Sequence, residues 1–251
     1  MSFMNPAEFA NIRKSEETFW WYRGMRAILF RFLDPYLKGR PLHHALEAGC
    51  GTGYLSQLLQ KDRGWPIVPL DYSPDGLRYA RELGVRWAVQ GDTRDLPFPD
   101  GIFDLTLSID VLAHVPAGEE HLAARELARV TRPGGLLVIR TSALEILRSH
   151  HSEFVDERQR FTRRRLMGLV TGTGVRVLRC TYINSLLLPI ALVKFRIIEP
   201  LTGKPAKSGV EPVAGWLDRL LYLPLGLESA WVGAGHKFPI GQSLLLIGEK
   251  M

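Results

Sequence analysis

The chain has 251 residues, 46% of them apolar and 23% charged, with a net charge of +6, two cysteines and six tryptophans. Such a length and balance fit one large α/β domain and exclude a disordered or low-complexity chain. No apolar run reaches the ~18 residues of a membrane-spanning helix, and Met1 to Lys14 lacks the apolar centre of a signal peptide, so a soluble, cytoplasmic protein is expected. Cys50 and Cys180 fall in unlike elements without metal-type spacing, and His150-His151 stand apart from other ligands. Reduced thiols and no metal are therefore expected. The basic excess points weakly to an anionic partner.

In chain order, the first distinctive segment is a helix from Glu16 to Leu37 that contains Phe19-Trp20-Trp21-Tyr22-Arg23. Four consecutive aromatics span roughly 300° of a helix, more than one buried stripe holds, so at least one must cover a ligand cleft, a substrate wall, a second copy or a membrane surface. A strand at 43–49 then runs into Glu47-Ala-Gly49-Cys50-Gly51-Thr52-Gly53, followed at once by a helix at 53–61. A glycine loop between strand and helix lets backbone N–H groups approach a ligand closely. Dinucleotide loops place their third glycine one residue later than Gly53, where this chain has Tyr54, which argues against a nicotinamide enzyme.

Further on, a strand at 66–71 ends in Asp71-Tyr72, and Ser73-Pro74 caps a helix at 74–83. A strand at 85–90 ends in Gly91-Asp92-Thr93, and Leu96-Pro-Phe-Pro-Asp-Gly-Ile-Phe-Asp104 leads into a strand at 103–109 that closes on Ile109-Asp110, with His114 shortly after. A helix at 118–131, an Arg132-Pro-Gly-Gly135 turn and a strand at 136–142 come next. Thr162 caps a helix at 162–171 whose first turn carries Arg163, Arg164 and Arg165, and strands follow at 175–182 and 244–248. These arginines read either as a solvated face or as a phosphate or carboxylate contact, and cations at a helix N-terminus oppose its dipole.

Glu-x-Gly-x-Gly-x-Gly with Asp71, Asp92 and the loop into the fourth strand closely resembles the class I S-adenosylmethionine (SAM) dependent methyltransferases, particularly their type 11 branch, over about 100 residues from Leu42 to Ser142. The resemblance implies a doubly wound, Rossmann-like α/β sheet of seven strands in the order 3-2-1-4-5-7-6, with the last strand antiparallel. It implies a single domain with an N-terminal helical lid (1–40), a SAM-binding core (41–183), a helical substrate or lid insertion (184–241) and a last strand (242–251). Asp71 would accept from the ribose hydroxyls and Asp92 from the adenine amino group, while Tyr22 and Arg23, from a leading Trp-Trp-Tyr-Arg helix, would reach the cofactor carboxylate. Glu47, Gly49, Cys50, Gly51, Gly53, Tyr72, Thr93 and Ile109 complete the implied SAM site.

The implied reaction is in-line attack on the sulfonium methyl, leaving S-adenosylhomocysteine. Positioning supplies much of the acceleration, and a base is needed only where the attacking atom carries a proton. His114 is the first candidate base and Asp110 the second; each has an ordinary structural alternative, pocket shaping and strand capping respectively. The fourth strand ends in Ser108-Ile-Asp-Val, not Asp/Asn-Pro-Pro-Tyr, and no cysteine follows a proline, so a nucleic acid acceptor is disfavoured. A small or lipid-linked acceptor is expected, and the basic excess admits an anionic one.

The insertion is read as two short amphipathic helices, with Pro189 breaking the first apolar run and a mobile link over 202–209. It serves either as a lid or as an interfacial membrane contact. Two other readings stand beside a soluble small-molecule enzyme: a peripheral membrane methyltransferase for an isoprenoid or glycolipid, and a SAM-binding regulatory protein without chemistry.

Overall fold

A parallel sheet needs both faces covered by helices, and its strands then read as continuous apolar runs rather than alternating ones. The computed structural model describes residues 5–202, 208–209 and 213–251. Its strands are β1 (Ala45–Ala48), β2 (Ile67–Asp71), β3 (Val89–Gln90), β4 (Phe103–Ile109), β5 (Thr131–Ser142), β6 (Val175–Ile183) and β7 (Ser243–Lys250). They lie in the order β3-β2-β1-β4-β5-β7-β6, as expected, with β7 antiparallel between β5 and β6 and all other pairs parallel.

Successive strand residues point to opposite faces, which divides the core in two. Ala45, Leu105, Leu107, Val138, Leu245 and Ile247 pack with Ile28 and Phe32 of helix α2 (Trp20–Leu37) and Val232 of α10 (Gly215–Gly233). Their neighbours Leu46, Leu137, Ile139, Leu244 and Leu246 pack with Leu127 of α5 (Glu120–Val130) and Leu166 of α7 (Arg163–Thr171). Helices α3 (Tyr54–Arg63) and α4 (Pro74–Glu82) follow β1 and β2, and the short α6 (His150–Phe154) precedes α7.

Four departures from the expected elements have local causes. Strand β1 starts two residues late because the N–H groups of His43 and His44 both donate to the Asp104 carboxylate, at 2.6 and 2.8 Å. Strand β3 shrinks to two residues because Trp87 adopts a left-handed φ of 60°, incompatible with an extended chain. Strand β5 begins early, at Thr131: its pairing with β4 shifts between Phe103 and Leu105, and Arg132 to Gly135 form the bulge. A Cβ on Gly135 would stand 2.9 Å from the Arg132 carbonyl oxygen and 3.0 Å from that of Phe103, so only glycine closes it. The N-terminal segment is two helices, not one. Asn5 caps α1 (Pro6–Ser15), its side chain accepting from the Ala7 N–H, and α2 starts only at Trp20.

The insertion also differs from two short helices. Pro189 sits in the first turn of α8 (Leu188–Val193) and starts it instead of breaking it. A π turn at Lys194–Ile198 carries the chain into α9 (Glu199–Thr202). Most of the link expected to be mobile, residues 203–207, lies outside the described residues. The second helix, α10, is 19 residues long and packs along α2, where a Cβ on Gly24 would come within 2.3 Å of Leu225 Cδ1. The outer sheet edges are β3, paired through two residues only, and β6, whose register shifts between Val177 and Arg179.

Candidate functional site

The carboxyl ends of β1, β2, β3 and β4 bring together most of the residues singled out above. The Gly49 and Cys50 N–H groups donate to the Leu70 carbonyl (2.7 and 2.9 Å), which folds the loop back over the end of β2. Gly49, Gly51 and Gly53 all have positive φ, 87°, 54° and 77°. Two of them are also tight packing points. A Cβ would lie 2.1 Å from Val111 Cγ2 at Gly49 and 2.6 Å from the Ala80 Cβ at Gly53. At Gly51 the only near atom among the described residues is a ring carbon of Phe9, at 3.9 Å, so core packing does not demand a glycine here.

Asp71 orders the loop from the end of β2. One carboxylate oxygen accepts from the Gly51 N–H (2.7 Å) and the other from the Ser73 N–H (2.8 Å), while burial pushes its pKa up. Tyr72 follows, partly buried, its carbonyl accepting from the Gln90 amide at 3.3 Å. At β3, Asp92 is held by the Arg94 backbone N–H and guanidinium (2.6 to 3.1 Å). Burial raises its carboxyl, but the hydrogen bonds from Arg94 outweigh this and leave it below the usual carboxylate range. Thr93 beside it is buried.

Two further acids converge on the loop, and one of them was not singled out in the sequence. Glu47, in β1, is buried with its carboxylate accepting from the Ser56 hydroxyl, and burial pushes its pKa up to about 8. Glu16 accepts from the Thr52 hydroxyl inside the loop and is pushed up to about 7, again by burial. Glu8 of α1 is buried and raised for the same reason. Tyr22 is partly buried, and desolvation, with the nearby charges of Glu8 and Glu16, raises its hydroxyl strongly. The Cys50 thiol is likewise buried and held protonated. Phe9, also missed, lies over the loop and the start of α4, where a Cβ on Gly76 would meet its ring at 2.9 Å. The Asn5-Pro6 cap signal was available to place α1, but nothing local tells where that helix docks.

Two candidates are directed elsewhere. Arg23 does not reach the loop: its guanidinium pairs with Asp218 of α10 at 2.8 Å and lies over the Tyr222 ring, with the Trp20 N–H donating to the same carboxylate. Asp110, at φ 61° just past Ile109, is not an available base, because the Arg140 guanidinium holds both its oxygens at 2.5 to 3.1 Å. His114 is partly buried, with Nδ1 3.3 Å from the Asp156 carbonyl oxygen. His151, set aside from sequence, lies close enough that His114, Lys194 and Arg160 add to the burial that drives its pKa down to about 4.

Of the three arginines at the start of α7, Arg165 is engaged within the protein, as is Arg160 just before them, while Arg164 is exposed. Arg160 bonds Glu157 and Ser152, and Arg165 bonds Glu120 and Gln159. Those acceptors explain how α7 accommodates a cation beside its N-terminus. Two recesses, of about 160 and 490 Å³, open at the opposite end of the sheet, around Arg40, Leu42 and Arg132 and around Lys38, Arg63 and Trp65. Neither reaches the glycine loop, which α1 covers.

Residues 46–139 match the methyltransferase domain family. Over 99 residues the chain is 38% identical to 2-methyl-6-phytyl-1,4-hydroquinone methyltransferase of Synechocystis sp., covering 38% of this chain and 30% of that protein. Over 107 residues it is 37% identical to malonyl-[acyl-carrier protein] O-methyltransferase of Serratia marcescens, covering 41% and 40%. Over residues 46–139 the chain is similar to the class I SAM-dependent methyltransferases of the type 11 branch. The whole chain superposes on phosphoethanolamine N-methyltransferase 2 of Haemonchus contortus, solved with SAM, with a TM-score of 0.61 and 16% identity over 60% of that chain, a likeness of fold. The chain spans well under half the length of the two curated relatives.

The matched methyltransferase domain contains Glu47, the glycine loop, Asp71, Asp92, Asp110 and His114; α1, α2 and the insertion lie outside it. Its buried acids make stability pH-dependent with a defined sign. Glu47 and Glu16 bind protons more tightly folded (about 8 and 7) than at the ordinary value of 4.5, so the folded chain carries more protons across this window and stability falls as pH rises through it. His151 acts oppositely, but its contribution is complete by about pH 6.5, its ordinary value. The thermal midpoint without ligand is therefore expected to decline from pH 6.5 to 8.5, and Glu47→Gln to flatten that decline. A midpoint that rises over this range would refute the assignment.

Proposed function

We propose that this chain transfers the methyl group of SAM to a small or lipid-linked acceptor with an apolar part. The observation that carries the reading is the acid-lined glycine loop: Asp71 fixes the Gly51 N–H, Gly51 leaves open space, and Glu47 and Glu16 are carboxyls held short of ionisation by burial. Such groups gain most from a cationic ligand, which restores the charge that burial suppresses. SAM carries a sulfonium and an ammonium, and its sulfonium supplies an activated methyl.

In this reading the Asp71 oxygens, each using one lone pair on a backbone N–H, offer the others to ribose hydroxyls. Asp92 accepts from the adenine amino group beside Arg94, with Tyr72, Thr93 and Ile109 lining the nucleoside and Gly49, Cys50 and Gly53 shaping the loop. Tyr22, Glu16 and Glu47 face the amino acid portion. Residues 1–40 act as the lid over the cofactor and 184–241 as the substrate-side cover of a single domain. His114 takes the proton where the attacking atom bears one, a role open to it because Asp110 is occupied by Arg140. The two curated relatives are named for a phytyl-hydroquinone and for a malonyl group on an acyl carrier, which supports an acceptor with an apolar or carrier-linked part.

Calorimetric titration with SAM, S-adenosylhomocysteine and NADH tests this. Micromolar binding of the two adenosyl ligands and none of NADH is expected, with S-adenosylhomocysteine formed when amphipathic hydroxyl acceptors are added. Binding of NADH, or of neither adenosyl ligand to the full chain, would overturn the reading.

A further inference from the structure

We infer that the insertion is a docking surface for an anionic lipid bilayer. Helix α10 is apolar nearly all round, yet only one side of it is covered. Leu225, Glu228, Ser229 and Val232 are buried. At about 100° per residue, Trp216, Leu220, Leu223, Leu227 and Trp231 form a stripe on the opposite side, and all are exposed, Trp216 by 70% and Leu227 by 67%. The preceding helical segment repeats the pattern. Leu188 and Ala191 are buried, while Ile190, Val193, Ile197 and Leu201, spaced three, four and four residues apart, are exposed, Leu201 by 81%. Monomeric soluble proteins rarely leave contiguous apolar faces open without using them.

Charge selects the occupant. Among the described residues of 184–241, all four Lys and Arg residues, Lys194, Arg196, Arg219 and Lys237, are exposed. All three acids are turned inward. Glu199 accepts from the His150 N–H, Asp218 pairs with Arg23, and Glu228 is fully buried, accepting from the Ser185 and Leu186 N–H groups. The exposed ionic side chains among the described residues of the insertion are thus all cationic, with Glu145 beside Arg196 the exposed acid contributed from outside it. A two-fold contact between copies would bring these like charges together, whereas an anionic headgroup layer neutralises them. No described helix is long and apolar enough to cross a membrane, and tryptophans at both ends of the α10 stripe suit the water–lipid boundary. The contact is interfacial.

The test is sedimentation of the full chain with equimolar phosphatidylglycerol–phosphatidylcholine vesicles, with pure phosphatidylcholine vesicles, and alone. Binding to the anionic vesicles is expected, reduced by high salt, and reduced about ten-fold or more in Leu223→Glu/Leu227→Glu. Both side chains are exposed, so the variant should keep its circular dichroism and its SAM affinity. Trp216→Ala/Trp231→Ala should weaken binding without adding charge. Absence of vesicle binding, equal binding by the variants, or a dimer in the lipid-free sample that Leu223→Glu/Leu227→Glu dissociates would each overturn the inference, the last by showing a seam between copies. This surface is separate from the cofactor loop: Gly51→Val should bind vesicles like the unaltered chain, so failure of the lipid inference and failure of the methyl-transfer reading are distinguishable.

Discussion

Gly51→Val is expected to weaken SAM binding by more than about 100-fold while leaving the fold in place. Two effects act together. A β-branched residue is strained at φ 54°, which pulls the loop from the conformation in which its N–H meets Asp71 at 2.7 Å. The added methyl groups also enter the gap between the loop and the Phe9 ring, the nearest described group to a Cβ there. The strain costs roughly 1–3 kcal/mol of stability, a shift that a domain of this size tolerates. Gly49 and Gly53 are poorer test sites, since a Cβ at either collides with Val111 or Ala80 and failure to fold would obscure the readout. Calorimetry of the folded variant decides: undiminished affinity means that SAM does not sit on this loop.

Arg140→Leu is expected to lower the thermal midpoint by about 5–10 °C, from a loss of about 2–3 kcal/mol. Arg140 is buried to 9% side-chain exposure and grips both oxygens of Asp110, itself held at a left-handed φ. Removing the guanidinium leaves a carboxylate at the end of β4 without its partner; because Asp110 is 35% exposed, water offsets part of the penalty and the loss falls at the lower end of the range for buried pairs. The guanidinium also lies over the Trp21 ring, so α2 loses a contact with the sheet. Arg140→Lys should fall between, since an ammonium cannot bridge two oxygens in a fork. Asp110→Asn/Arg140→Leu should recover part of the loss. An unchanged melting curve for Arg140→Leu would show that the pair contributes no stability.

What could be read in advance was whatever is written in short-range pattern. Strand ends, the glycine spacing and the acidic residues after β2 and β3 are local, and they placed the loop, Asp71 and Asp92 at one end of the sheet. What escaped depends on contacts distant in sequence. Asp110 stood as the second candidate base or a strand cap, and its ion pair was not visible because the partner lies 30 residues on and only the register of Ile109 beside Arg140 brings the two together. Arg23 was implied as a cofactor ligand by the resemblance, while the partner it has in the structure, Asp218, is 195 residues away. Phe9 and Glu16 escaped because the docking of a short amphipathic helix across the loop has no local signature. In α10 the apolar periodicity was visible, but periodicity does not say whether a face is covered.

The sheet's two ends constrain how this chain meets other molecules. An edge strand with unpaired backbone groups is a template on which another strand can add, and aggregation commonly starts there. Here β3 offers only two paired residues, with Trp87 bent out of line before them, and β6 is broken in register beside Arg176 and Arg179. Neither edge presents a long, flat run. The blunted edges offer little template for strand addition, so the apolar surface this chain leaves open lies on its helical faces rather than along its sheet.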